Sequence, residues 1–159
     1  DHPVRDNIRI VLTGAFCEQP PLGLIRALEN SGCNIVDDDW MLGARYMLED
    51  IPITDDPIAA LSDAYLRETV VTASKYEEDG NKGAFLVGQV RKAAADGVIF
   101  AAPSFCDPAL LERPMQQEAL KKENIPYTSF KYSEDTGQYQ VIREQTGTFA
   151  DAIKLWGDA

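Results

Sequence analysis

The sequence predicts an α/β protein: one three-layer α/β/α domain on a parallel sheet of about four strands. Three observations predict it. Residues 8–12 (IRIVL) and 98–102 (VIFAA) are short apolar runs with few or no polar breaks, which suits strands buried on both faces of a sheet. Longer stretches between such runs carry apolar residues three and four apart, the helical period. The two kinds of segment alternate along the chain, the pattern of a parallel sheet with helices on both faces.

The first strand ends at Thr13-Gly14 and runs into a loop, AFCEQPP. Pro20-Pro21 opens a helix whose apolar face reads Leu22, Ile25 and Leu28, and Ser31-Gly32 closes it. Residues 33–36 (CNIV) form a second short strand, followed by Asp37, Asp38 and Asp39. Residues 40–49 read as a helical turn or two. Asp55-Asp56-Pro57 then starts a helix with Ile58, Leu61 and Tyr65 on one face. Residues 69–74 (TVVTAS) are β-branched but short, and strand and coil both stay open there. Residues 81–95 read as a helix with Leu86, Val90 and Ala93 inward. The third strand starts at Gly97 and stops at Pro103. A helix over 109–123 follows, with Leu111, Met115 and Ala119 four apart and Pro114 near its second turn, where it kinks or delays a helix. Residues 126–130 (PYTSF) are the last strand. Residues 138–156 are the last helix, with Ile142, Thr146, Phe149, Ile153 and Trp156 as a buried stripe. Four such strands predict the order 2-1-3-4, the flavodoxin-like arrangement. The stretch from about 41 to 96 is then an enlarged helical crossover, a natural place for a partner- or substrate-facing surface.

The 159 residues, 45% of them apolar, make a single domain over 1–159 with a core that needs no staples. A net charge of −11 argues against a nucleic-acid partner and against attraction to anionic membranes. No apolar run reaches the length of a membrane span, and the opening DHPVRDN has no signal-peptide pattern. Three cysteines are an odd number and too few for a disulfide framework, which places the chain in a reducing, cytoplasmic compartment.

In open parallel sheets, ligands sit outside the carboxyl ends of the strands where the strand order reverses, here between strands 1 and 3. The loop after strand 1 carries Cys17-Glu18, and the loop after strand 3 carries Cys106-Asp107. Asp107 suits an N-cap and Pro108 the first helical position. A thiol between a strand end and a helix start meets unpaired N–H groups and the helix dipole, which favour the thiolate that binds metal. Position alone leaves a second reading of Cys106 open, a small apolar cysteine buried in a loop. Cys33 precedes strand 2, lies on the opposite rim and reads as structural.

Two thiols do not complete a zinc or iron–sulfur site, which takes three or four soft ligands. His2 is the sole histidine and reads as a linker or tag remnant, and no C-x-x-C is present. The chain therefore holds at most part of a metal site. The run from Asp37 to Asp39 is read as a solvated turn with an N-cap, in preference to a divalent-cation site. The loop after strand 1 lacks the glycines and hydroxyls of a phosphate cradle, and no acidic pair follows that strand. No G-x-S-x-G elbow is present.

Three blocks, TGAFCEQPPLGLIRALENSGCNIVDDDWMLGARY, GVIFAAPSFCDP and GQYQVIREQTGTFADAI, resemble the carboxyl-terminal half of the benzoyl-CoA reductase and 2-hydroxyacyl-CoA dehydratase family. The resemblance starts at about Ile8 and covers nearly the whole chain. Trp40-Met41-Leu42-Gly43 is closer to the reductase branch, since the dehydratases tend to have cysteine-threonine-glycine there. The resemblance implies a longer subunit of two flavodoxin-like domains, with this chain as its carboxyl-terminal half. It implies a 4Fe-4S cluster, or a related double-cubane, in the cleft between the domains. Cys106 in the Cys106-Asp107-Pro108 block would be a cluster ligand, Cys17 a neighbour, and the remaining ligands would come from outside this chain. The isolated chain is then expected to lack an intact cluster and to be inactive.

The partners implied are a homologous cluster-binding subunit, an ATP-hydrolysing iron–sulfur activator fed by ferredoxin, and an acyl-CoA substrate. The reductase branch reduces an aromatic ring to a cyclic diene, and the dehydratase branch removes water through a ketyl radical. Glu18, Arg45 and Gln138 match polar positions of the family blocks and receive no catalytic role. Arg143 reads as a helix-surface ion pair. A reading of another class is a stand-alone, non-catalytic flavodoxin-like module that binds a partner or an acyl-CoA and holds no cluster. A gene product much longer than this chain, with cysteines upstream, separates the two.

Overall fold

The computed structural model describes residues 6–14, 19–40, 45, 48–67, 69, 71, 82–133 and 139–156. Its elements run β1 (Ile8–Thr13), α1 (Leu22–Glu29), β2 (Cys33–Asp38), α2 (Pro57–Arg67), α3 (Lys82–Lys92), β3 (Gly97–Pro103), α4 (Asp107–Lys122), β4 (Tyr127–Tyr132) and α5 (Gln140–Trp156). All strand pairs are parallel and the order is β2-β1-β3-β4, as the alternation of segments predicts. Ile8 faces Cys33, Ile10 faces Gly97, and Val98 faces Tyr127. One irregularity interrupts β1–β2 between Ile10 and Val11, where β2 advances an extra residue.

Side chains of a strand alternate between faces, so the two central strands feed two cores. Ile8, Ile10 and Leu12 with Ile99 and Ala101 meet Leu24 and Leu28 of α1 and Ile142 and Ala150 of α5. Val11, Val98 and Phe100 meet Leu86, Val87 and Val90 of α3 and Leu120 of α4. The sheet is thus covered on both sides, giving the three layers. Phe100 also meets Tyr127 edge-on, with ring centroids 6.0 Å apart. Where β1 starts, the Arg9 guanidinium donates to the carbonyls of Ala93 and Ala94 just past α3, and the Arg9 N–H donates to the Asp96 carboxylate at 2.6 Å. That clamp fixes the entry to β3 beside β1.

The helix faces depart from the expected ones in part. In α1 the buried residues are Leu24, Ala27 and Leu28, while Leu22 is 76% exposed. In α4 the buried residues are Ala109 and Leu120, while Leu111 and Met115 face solvent. The reason in α4 is the close approach of α3. A Cβ on Gly83 would sit 2.5 Å from the Cβ of Ala119, so this seam admits only small residues, and the larger Leu111 and Met115 turn away. In α5 Ile142, Thr146 and Ala150 are buried, and Phe149 and Ile153 pack against the core as expected, but Trp156 is exposed. Pro114 lies inside α4, which continues through it.

The described parts of the crossover include two helices, α2 and α3. In α2 only Ala64 is buried, and the expected face of Ile58, Leu61 and Tyr65 is exposed. The anticipated turns over 41–44 and 46–47 and most of 69–74 lie outside the described residues, as do Cys17, Glu18 and Gln138. No described helix is long and apolar enough to cross a membrane.

Candidate functional site at the carboxyl rim of the sheet

β1 and β3 are neighbours, yet the chain leaves their carboxyl ends in opposite directions, towards β2 and towards β4. That divergence opens a crevice. Thr13 and Gly14 from the end of β1, Phe100 and Ala102 from β3, Asp39 from the end of β2, and Ala109, Glu112, Arg113 and Gln116 from α4 line a small cavity there, with Val71. Its volume is about 20 Å³, enough to admit a water-sized group.

Asp39 organises one wall. Its Oδ2 accepts from the Thr13 hydroxyl at 3.1 Å and from the Gly14 N–H at 3.3 Å, and lies 3.6 Å from an Arg45 nitrogen. Both side chains of this ion pair are about nine-tenths buried. The anticipated solvated aspartate turn is therefore corrected: Asp37 and Asp38 belong to β2, and Asp39 is a buried partner of β1. β2 extends beyond its apolar residues because its ladder with β1 continues to the Leu12–Asp38 pair. Burial pushes the Asp38 carboxyl up, although the Trp40 N–H donates to it and partly offsets this. Arg45, which carried no assigned role, is a buried residue of this wall. A second, part-buried ion pair, Lys82 with Glu112, ties the start of α3 to α4 on the opposite wall.

Arg113 lines the same cavity and is half-buried. Its Nε and Nη2 are out of reach of water and have no hydrogen-bond partner among the described residues. Burial draws its guanidinium below the usual arginine range. Nothing at the sequence level singles out Arg113, Glu112 or Lys82. The available signal was a Glu-Arg pair three and four residues after Ala109, on the face that α4 turns inward.

Cys106 sits at the mouth of α4. The expected N-cap shifts by one residue: Cys106 occupies the cap, Asp107 is the first helical residue and Pro108 the second. The reason is the turn before the helix. The Cys106 N–H donates to the Pro103 carbonyl at 3.1 Å, which closes a four-residue turn and leaves the Cys106 carbonyl to accept from Leu110. No side chain caps α4 by a hydrogen bond. The third residue of the turn, Phe105, has φ of 67° and is 96% exposed. Bulky residues avoid that backbone region, so the turn holds an aromatic ring in solvent beside the thiol at a cost of about 1–2 kcal/mol. Cys106 itself is half-buried and free.

Cys33 behaves as a structural residue. It is fully buried, and burial pushes its thiol up to about 12, with the Lys154 ammonium offsetting part of the effect. It faces Ile8 at the amino end of the sheet, roughly 25 Å along the strand direction from the residues after β3. Cys33 and Cys106 therefore cannot share a metal centre. Among the described residues, no three His, Cys, Asp or Glu side chains are placed to hold a metal ion. A cluster needs three or four thiolates, so the described residues fit such a group only as the source of one ligand, Cys106.

Residues 1–153 match the 2-hydroxyglutaryl-CoA dehydratase, D-component family. The chain belongs to this family. Among its relatives in the family, one of the subunits of the benzoyl-CoA reductase of Thauera aromatica is 56% identical over 153 residues, 96% of this chain and 40% of that one. The (R)-phenyllactyl-CoA dehydratase beta subunit of Clostridium sporogenes is 23% identical over 145 residues, 91% of this chain and 38% of that one. The beta subunit of the (R)-2-hydroxyglutaryl-CoA dehydratase of Acidaminococcus fermentans is 24% identical over 154 residues, 93% and 39%. The chain spans about two-fifths of the length of these relatives. The family membership expected from the sequence blocks is thereby confirmed, as is the greater likeness to the reductase side.

Proposed function

We propose that this chain is the carboxyl-terminal, flavodoxin-like half of a cluster-binding subunit of an ATP-dependent, ferredoxin-linked benzoyl-CoA reductase. The observation that carries the reading is the 56% identity to a benzoyl-CoA reductase subunit, against 23% and 24% to the dehydratase subunits. The rim geometry supports it. Cys106 is a free, half-buried thiol at the start of a sixteen-residue helix.

Cys106 is read as one ligand of a 4Fe-4S or double-cubane cluster, with the other ligands outside this chain. When bound, such a cluster supplies single electrons at low potential. The chain's own contribution is to fix one thiolate on a rigid helix start. The wall of Phe100, Ala101 and Ala102 excludes water behind it, and Phe105 is presented to whatever covers the rim. The partners in this reading are a homologous cluster-binding subunit, an ATP-hydrolysing iron–sulfur activator and an aromatic acyl-CoA, in a cytoplasmic compartment.

Anaerobic iron and sulfide analysis of the full-length subunit with its partner, beside Cys106→Ala, tests the ligand assignment. Loss of iron in the variant is expected, and unchanged iron overturns the assignment. Turnover of benzoyl-CoA and of 2-hydroxyacyl-CoA esters by the activated complex tests the activity. The family description and the two dehydratase relatives favour a second reading, a 2-hydroxyacyl-CoA dehydratase subunit. Dehydration of a 2-hydroxyacyl-CoA without reduction of benzoyl-CoA decides for it.

A further inference from the structure

We propose that the outer face of α2, made by Ile58, Leu61 and Tyr65, is an internal interface of the longer subunit, covered by an apolar surface from the part outside this chain. The inference rests on the reading of the chain as one piece of such a subunit. It starts from the way α2 is turned. Ala64 is buried and Ala60 half-buried, so the helix shows its small residues to the body. Ile58, Leu61 and Tyr65 share another face, spaced three and four apart, and are 50–70% exposed. They run about 10 Å along the helix axis.

That face is not the charged side of the helix. Asp63 and Arg67 pair with each other at 2.6 Å, about half a turn away from it by the helical period. Ser62 is its remaining neighbour, so the face carries no charge. The helix is fixed in place by its own start, where the Ala59 N–H donates to the Asp56 carboxylate at 3.0 Å. A helix of eleven residues is marginal by itself and draws most of its stability from packing a large apolar face. Here the body meets only alanines, and the large side chains make one contiguous patch of the kind that marks a contact surface.

The occupant follows from what lies outside the chain. The chain spans about two-fifths of the length of its relatives, so a longer subunit has more than enough chain to cover one helix face. The segment that carries α2 leaves the sheet at Asp39 and returns at Val71, and both residues line the cavity at the carboxyl rim. In the proposed reading the rest of the subunit comes to that same rim to complete the ligand set of Cys106. A cover tethered in the same polypeptide also has a high effective concentration. A second copy of the chain is the poorer occupant, because two bodies of net charge −11 repel.

The test uses the full-length subunit in complex with its partner. A photo-cross-linking phenylalanine analogue is placed at position 61 and, in a second protein, at position 58. Cross-linked peptides are then identified by mass spectrometry. Both positions are expected to cross-link within the subunit, to residues outside the stretch described here. Cross-links to the partner subunit, to a second copy of the same subunit, or to none overturn the proposal. Leu61→Asp is expected to lower the melting temperature of the complex, whereas a charge at a solvent-facing helix position leaves it unchanged. An unchanged melting temperature overturns the proposal even where the cross-linker is poorly incorporated. Neither readout uses iron or turnover, so the cluster and activity assignments can fail while this stands. A natural gene product no longer than this chain removes the premise of both.

Discussion

Phe105 and Cys33 show how backbone and burial set the properties of single residues here. Phe105 occupies a turn position that favours asparagine or glycine, and its exposed ring has no packing to lose. Phe105→Asn is therefore expected to raise stability by about 1 kcal/mol in chemical denaturation. If the ring serves a partner at the rim, the same variant weakens assembly with the homologous subunit. At Cys33 the folded protein holds its proton more tightly than the unfolded chain, since burial raises the thiol from near 9 to about 12. The associated stability is fully present below about pH 9 and is lost as pH rises towards 12. Unfolding free energy measured across that range should fall in the wild type and fall less steeply in Cys33→Ala. Cys33 should also resist alkylation at neutral pH in the native state, followed by peptide mass spectrometry.

At the scale of elements, the α3–α4 seam decides what the sequence left ambiguous. A spacing of four residues places Leu111 and Met115 inward, but periodicity marks an arc of a helix and does not name its neighbour. Gly83 lets α3 approach until only the alanine-bearing side of α4 fits. Gly83→Ala is expected to cost about 1–3 kcal/mol by overpacking against Ala119 and the Met115 carbonyl. Gly88→Ala on the same helix meets nothing within 4 Å and is expected to gain about 0.5–1 kcal/mol. Thermal melts of the two variants, opposite in sign, check the seam. The start of α4 moved by one residue for a similar reason. Asp107 has the composition of a cap, but the turn over residues 103–106 sets where helical geometry begins.

At the scale of the molecule, the strand order was legible because it follows from few facts. Parallel strands joined by helices must cross over with one hand, and four strands leave few arrangements. The soft-ligand count was legible too, since it needs only composition. From one thiol at the rim among the described residues, the 159-residue chain expressed alone under anaerobic conditions is expected to purify colourless. Stoichiometric iron and a broad brown absorbance in that sample would show that the chain carries a sufficient ligand set itself.

The sequence by itself determined the strands, their order, the position of Cys106 at the carboxyl rim and the family to which the chain belongs. These rest on local pattern and on chain direction, which carry over into the fold unchanged. The tertiary structure alone decided that Asp39 pairs with Arg45 beneath β1 and that Lys82 takes Glu112. Residues distant in the chain become partners only when two helices and a sheet close on one another. Which charge is matched there depends on geometry that no local pattern encodes.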